Sequence, residues 1–341
     1  MPSMQPEELD DLYEFAIQLG KDAGRMLLEA AEKRWSGDGM INDYGEGEGG
    51  KEHVQKMNSV DLVTKTDEDV ERFVKNQILT KYPSHEFIGE ESYAKGGSKE
   101  YLIKDGPTWC VDPLDGTVNY IHLFPLYCVS IAFLLNGTPI IGIINAPFLS
   151  QLFTARSNHG AYLTTATSRH RLPLIRNPIP PLPPNAPTGC IFACEWGKDR
   201  RDRPDGNMQR KVETFLDMAA EVGGRGGRGG MVHGIRSLGS ATMDLAYTAL
   251  GSVDVWWEGG CWEWDVAAGI CILQEAGGLI THGTPPEDFE NAKIESVDLG
   301  SRLYLGIRPA GPSADESARE IQERTVREVW RRVRGLDYKR P

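Results

Sequence analysis

The chain has 341 residues and a formal net charge of -12, with 40% hydrophobic and 25% charged residues. That length can bury a large core, as one domain or two intimately joined ones, and the composition is that of a soluble globular protein. The acidity argues against a general nucleic-acid binder, which needs clustered Lys and Arg; it leaves room for an anionic substrate, because bound cations invert the field where carboxylates gather.

The chain starts Met-Pro-Ser-Met-Gln-Pro-Glu-Glu, without the basic start or apolar stretch of a secretory signal. The longest apolar run, residues 126–135, is too short to span a bilayer, so no membrane partner is expected. The cysteines (Cys110, Cys128, Cys190, Cys194, Cys261 and Cys271) include no CxxC pair or zinc-like spacing. They read as reduced thiols of an intracellular, cytoplasmic protein.

Residues 7–35 place Leu9, Leu12, Ala16, Leu19, Ala23, Met26 and Ala30 at helical spacing, which predicts an amphipathic first helix. Residues 36–50, rich in Gly, Asp and Glu, read as a mobile loop. A second helix is predicted over 66–81, with Asp67, Glu68 and Asp69 in its first turn, where negative charge suits the dipole. Strands are expected at 86–89 and 108–111, then a hairpin of 127–135 and 140–145 through Asn136-Gly137, then 152–155 and 161–163.

Residues 172–187 carry seven prolines, predicting an extended connection and a domain boundary. Further along, a strand at 191–195 and a helix at 208–222 precede the run GGRGGRGG at 223–230. That run resembles RNA-binding RGG repeats, but one short copy in an acidic chain reads as a flexible surface loop. A strand at 232–237 and helices at 240–249 and 265–276 follow, with Gly277-Gly278 as a stop. An Arg-rich terminal helix over 313–334 reads as a solvated or packed tail. The organisation expected is an N-terminal α+β half (1–172), a C-terminal α/β half (188–310) and a tail (311–341), with the halves forming one unit of layered α/β architecture.

The chemistry concentrates in Trp109-Cys-Val-Asp112-Pro-Leu114-Asp115-Gly116-Thr117. An apolar strand runs into two carboxylates three positions apart, with Pro113 fixing the turn between them. Asp112, Asp115 and the Leu114 carbonyl can converge on hard cations, which prefer oxygen. Gly116 and Thr117 follow where a helix can begin, and backbone N–H groups there suit a phosphate. The same string can be an ordinary Asp/Gly turn. Alone, Glu90-Glu91 reads as a solvated turn, Asp67 as a first-turn helix acid and Asp265 as a helix N-cap. Their coincidence is what counts: acids at the ends of several elements can meet at one rim, and such a gathering is expensive unless cations sit between them.

The segments Asp61-Leu-Val-Thr-Lys-Thr-Asp67, Gly89-Glu-Glu-Ser92, 109–117 and Trp264-Asp265-Val-Ala-Ala-Gly269 resemble the inositol monophosphatase family, in the family's order and over about residues 9–307. The resemblance implies an α/β/α/β/α sandwich of the inositol monophosphatase/fructose-bisphosphatase type. It also implies a homodimer and a magnesium-dependent, lithium-sensitive phosphatase acting on a small polyol phosphate such as myo-inositol monophosphate. By the same resemblance Glu90, Asp112 and the Leu114 carbonyl hold a first Mg2+, and Asp112, Asp115 and Asp265 a second. Glu90 also helps a weaker third ion. Asp67 and Thr117 orient the attacking water, and Gly116 and Thr117 offer phosphate-binding amides. Ala241 and Glu258, with Asp115 and Asp265, meet the polyol, and Lys56 matches a lysine near the site or is a plain surface lysine. Where the family commonly has a polyol-pocket serine, this chain reads Glu195-Trp-Gly-Lys198-Asp199. A lysine there favours a more acidic substrate. The alternatives are a related phosphatase for a sugar bisphosphate or nucleotide 3'-phosphate, and a non-catalytic metabolite sensor, since some similar proteins are associated with quinate metabolism. The Pro-rich segment, the GGRGGRGG run and the tail look like additions that leave the chemistry unaltered.

Overall fold

The computed structural model describes residues 4–35, 53–55, 62–94, 96, 103 and 105–340. The predicted loop at 36–50, Lys56 and Asp61 lie outside the described residues. Helix α1 (Pro6–Trp35) starts at a proline whose missing N–H costs nothing in a first turn, and buries the face carrying Leu12, Ala16, Leu19, Ala23 and Leu27. Strands β1 (His53–Gln55) and β2 (Leu62–Thr64) form a short antiparallel ribbon. Helix α2 (Lys65–Lys81) begins in a capping box between Thr64 and Asp67.

Then come β3 (Glu86–Gly89), the single turn α3 (Glu90–Ala94), β4 (Pro107–Asp115) and the single turn α4 (Thr117–Ile121). Strands β5 (Cys128–Leu135), β6 (Thr138–Ala146), β7 (Gln151–Arg156), β8 (Ala161–Thr164) and β9 (Arg169–Arg171) continue as an antiparallel meander. The seven strands β3 to β9 pair in chain order, with only β3–β4 parallel. The predicted hairpin turn is there: Asn136 and Gly137 both adopt positive φ.

The second half holds β10 (Ile191–Ala193), α5 (Asn207–Ala219), α6 (Gly224–Gly227), β11 (Gly234–Arg236) and α7 (Ala241–Leu250). It ends with β12 (Val255–Gly259), α8 (Glu263–Ala276), β13 (Leu279–His282), β14 (Leu303–Ile307) and α9 (Ala318–Trp330). These strands form a mixed sheet in the order β11-β10-β12-β14-β13. The sequence reading did not find β12, β13 or β14. Trp256 and Trp257 are both fully buried, so β12 is covered on both faces and shows no polar alternation.

The layers follow from where apolar faces meet. One core joins α1 and α2 to one face of the larger sheet through Leu19, Leu27, Val74, Trp109, Ile131 and Ile141. A second lies between the sheets, where α7 and α8 bring Leu245, Val266 and Ala268 against residues such as Ala132, Ile144 and Trp256. A third joins the smaller sheet to α5 and α9 through Phe192, Trp257, Leu305, Ile321 and Val329. The result is the expected α/β/α/β/α sandwich. Helix α8 lies so close to β6 that a Cβ on Gly142 would come within 2.4 Å of the Ala268 carbonyl oxygen.

The additions are tied down. The Pro-rich segment has no ladder to satisfy its carbonyls, and arginines supply the donors: Arg308 donates to Pro180 and Pro181, and Arg324 to Pro183 and Pro184. The GGRGGRGG run is on the surface, but Arg225 and Arg228 both reach the buried Asp217 at 2.8 and 3.0 Å, so it is a pinned turn. The terminal helix is shorter than the expected 313–334 and packs by Ile321, Val326, Val329 and Trp330.

Candidate active site

Asp112 and Asp115 are three residues apart, so in a regular strand their side chains would face opposite sides. The β4–β5 register prevents this: Asp112 pairs with Ser130 and Asp115 with Cys128, so β4 spends three steps where β5 spends two. This bulge, built at Pro113, turns both carboxylates toward one rim. Helix α8 brings Asp265 to the same rim from its third position, where Asp265 Oδ2 accepts from the Trp262 amide at 2.7 Å. Carboxylate oxygens of Asp112, Asp115 and Asp265 all lie within 4.8 Å of one another. Glu90 is not part of this close triad; it stands at the start of α3, with Oε1 3.9 Å from Lys198 Nζ.

Neighbouring elements aim these groups. Asp115 Oδ2 accepts from Ser240 Oγ at 2.5 Å and from the Thr242 amide at 2.9 Å, which seats it on the N-terminus of α7 next to Ala241. Thr242 Oγ1 donates to the Asp265 carbonyl, and Asp112 Oδ1 accepts from the Leu114 amide. Gly116 holds φ +87° at the start of α4, and a Cβ there would meet the Leu126 carbonyl oxygen at 2.9 Å. Thr117 Oγ1 lies 3.1 Å from the Leu114 carbonyl oxygen and 3.4 Å from Asp67 Oδ1. The other oxygen of Asp67 is fixed by the Thr64 amide at 2.9 Å and by the Thr64 hydroxyl.

The electrostatics are those of a cation site. Burial, the repulsion of Glu90, Asp115 and Asp265, and little hydrogen bonding hold Asp112 well above the usual carboxylate range. Burial, then Asp115 and Glu90, push Asp265 up to about 8. Burial pushes Asp67 up to about 7 against the pull of the Thr64 hydrogen bonds. One buried and two half-buried carboxylates within one ion's reach are unfavourable without positive charge between them. An all-oxygen donor set suits a hard divalent ion such as Mg2+.

Several positioning residues went unseen in the sequence. Glu71 accepts from the Glu91 and Ser92 amides, each at 2.7 Å, and from Ser92 Oγ at 2.6 Å, which fixes the turn carrying Glu90. Asn119 ties the Leu126 and Leu238 carbonyls together at 2.7 Å each. Lys211, fully buried, donates to Glu258 Oε1 at 2.5 Å. Glu258 also accepts from the Glu195 and Gly259 amides, at 2.6 and 2.8 Å. The local pattern of α5 hides Lys211: the mostly polar face of Asn207, Lys211, Thr214 and Met218 is the buried one, while Val212 and Leu216 are exposed.

The tail reaches this neighbourhood. Leu336 and Tyr338 pack on Gly259, Tyr338 also covers Gly260, and Arg340 pairs with Glu263. All six cysteines are buried free thiols, and burial raises the pKa of each. None is disposed to act as a nucleophile.

The five-layered sandwich carries an all-oxygen acidic cluster at one rim. The model of the inositol monophosphatase family matches residues 8–334, and the chain belongs to that family. It is 65% identical over 337 residues to the "Quinic acid degradation cluster protein x" of Neurospora crassa, covering 98% of this chain and 97% of that one. It is 39% identical to "Inositol monophosphatase 2" of Saccharomyces cerevisiae, covering 83% of this chain and 86% of that one. The solved inositol monophosphatase of Anabaena superposes with a TM-score of 0.64 at 24% identity, over 97% of this chain and 98% of that one, and so shares the fold.

Proposed function

We propose that the chain is a magnesium-dependent phosphomonoesterase that hydrolyses a small polyol monophosphate, with myo-inositol monophosphate as the leading substrate, to the free alcohol and inorganic phosphate. The observation that carries this is the convergence of Asp112, Asp115 and Asp265 within 4.8 Å beside the Asp67–Thr117 pair. Asp112, Asp115 and Asp265, with Glu90 and the Leu114 carbonyl, are the residues that would hold Mg2+. Bound there, magnesium supplies Lewis-acid stabilisation of the phosphate charge and a more acidic water.

The remaining work falls to the chain's own groups. Asp67, held by Thr64 on one oxygen, presents the other beside Thr117, so the two orient the attacking water in line with the ester bond. The Asp67 carboxylate is placed to take that water's proton. The Gly116 and Thr117 amides donate to the phosphate oxygens. Water adds its oxygen to phosphorus, the phosphorus–oxygen bond to the alcohol breaks, and the leaving oxygen takes a proton from a solvent water to depart as the alcohol, while Asp67 returns its proton to solvent. Asp115, Asp265, Ala241 and Glu258 border the alcohol side. The reading includes a homodimer and a cytoplasmic location. No described helix is long and apolar enough to cross a membrane.

The test is phosphate release from inositol 1-phosphate, glycerol 2-phosphate, fructose 1,6-bisphosphate and adenosine 3',5'-bisphosphate with magnesium, with EDTA and with lithium. Magnesium-dependent, lithium-inhibited release from the monophosphates supports the reading. Preference for a bisphosphate would contradict it.

A further inference from the structure

We propose that Trp262 is a positioning residue of the cation site: through Tyr93, its ring sets how the turn carrying Glu90 stands against the helix carrying Asp265. The inference rests on the cation-site reading above and adds to it a residue that touches neither metal nor substrate.

Glu90 follows β3 of the larger sheet, and Asp265 follows β12 of the smaller one. A site that draws ligands from both sheets needs the gap between them fixed. Glu90 sits on a single helical turn, too short to be stiff by itself. Glu71 ties that turn to α2 through the Glu91 and Ser92 amides. That contact does not refer the turn to Asp265.

An aromatic cluster makes that link. Tyr93, on the same turn as Glu90, has its ring centre 5.2 Å from that of Trp262 and 5.2 Å from that of Trp264. Trp262 and Trp264 stack at 5.4 Å with their planes 17° apart. Aromatic pairs of this kind prefer particular geometries, so they fix orientation as well as bury area. Trp262 is also the residue whose amide donates to Asp265 Oδ2 at 2.7 Å. One residue therefore holds Asp265 with its backbone and meets the turn of Glu90 with its side chain.

Trp262 is held in its turn. The Arg302 guanidinium lies 3.9 Å from its ring centre, and that of Arg340 lies 5.5 Å away. Arg302 Nη2 donates to the Gly260 carbonyl at 2.7 Å, Nη1 donates to the Lys339 carbonyl at 3.1 Å, and the Gly260 amide donates back to the Arg302 carbonyl at 2.8 Å. The indole cannot swing away from Tyr93 without giving up these cations. Trp264 is buried in the core between the sheets, so its removal is a packing change. Trp262 is only partly buried there, which makes its substitution the cleaner probe.

The test has two readouts, neither of them activity. Magnesium binding is measured by titration calorimetry on EDTA-treated wild type, Trp262→Ala, Trp262→Phe and Tyr93→Leu, each checked for folding by circular dichroism. Amide hydrogen exchange at Glu91 and Ser92 is followed in the same metal-free proteins. Trp262→Ala and Tyr93→Leu should each weaken magnesium binding by roughly tenfold, the usual effect of losing a group that orients a metal ligand. Both should lose exchange protection at Glu91 and Ser92 while the β5 and β6 amides keep theirs. Trp262→Phe keeps a ring against Tyr93 and should retain most of both. Should Trp262→Ala not fold, Tyr93→Leu breaks the same contact from the other side. Wild-type magnesium affinity in the folded variants overturns the inference and leaves the phosphatase reading standing. Weakened binding with unchanged exchange at Glu91 and Ser92 also overturns it, because the effect would then not pass through the turn of Glu90. No magnesium binding by the wild type overturns both.

Discussion

Lys211 and Glu258 form a buried ion pair behind the loop that leads to Asp265, with Nζ 2.5 Å from Oε1 and side-chain exposures of 0% and 2%. The pair joins α5 to the end of β12. Its removal tests how the second half holds the site.

Lys211→Met strands a carboxylate in the interior and should cost about 3–5 kcal/mol, read from urea denaturation. Replacing both partners, with Glu258→Leu added, should cost less than Lys211→Met alone, because no buried charge is then unpaired. Equal or additive losses would show that the ion pair is not what matters there.

Asp112→Asn should abolish magnesium-dependent turnover and leave the fold intact. It removes one of three mutually repelling carboxylates, so the metal-free variant should melt at or above the metal-free wild type, while magnesium raises its Tm far less. Calorimetry with and without EDTA checks both statements. Retention of most of the activity would remove Asp112 from the cation site.

The acidic cluster gives the metal-free protein a specific pH dependence. Asp265 is pushed up to about 8 and Asp67 to about 7 by burial and neighbouring charge, against about 3.9 in an unfolded chain. A carboxyl raised in the fold contributes stability below its unfolded value and loses it as pH rises through its folded value. EDTA-treated protein should therefore lose stability, relative to magnesium-loaded protein, between about pH 4 and about pH 8. The Tm gap between the two should widen from about pH 5 to about pH 8. A constant or shrinking gap would count against it.

Glu71 accepts three hydrogen bonds from the turn that follows Glu90. Glu71→Ala should cost about 1–3 kcal/mol and weaken magnesium binding, because one buried and one half-buried amide lose their partner and Glu90 loses its support. A stability loss with unchanged magnesium affinity would make Glu71 purely structural.

Deleting residues 336–341 should lower kcat, since Leu336, Tyr338 and Arg340 pack on Gly259, Gly260 and Glu263, next to Asp265. The sequence reading treats the tail as chemically neutral, and unchanged kcat in the truncated protein would support it.

What was legible in the sequence follows periodicity. Helices α1, α2, α7 and α8 and the hairpin at Asn136-Gly137 show their patterns locally, so their positions were readable within a few residues. Strands buried on both faces, such as β12, show no alternation and were missed. The carboxylates at 67, 90, 112, 115 and 265 were readable as motifs. The bulge that turns Asp112 and Asp115 to one side depends on pairing with β5, which no local pattern displays. Glu71 and Lys211 look like ordinary helix-surface charges until the partner elements are in place.

The most direct measurement is phosphate release from inositol 1-phosphate by wild-type protein and Asp112→Asn, each titrated with magnesium after EDTA treatment. The account predicts release that rises with magnesium in the wild type and is absent from the folded variant. Release by EDTA-treated wild type, or by Asp112→Asn at a comparable rate, would contradict a cation-dependent phosphatase centred on Asp112, Asp115 and Asp265.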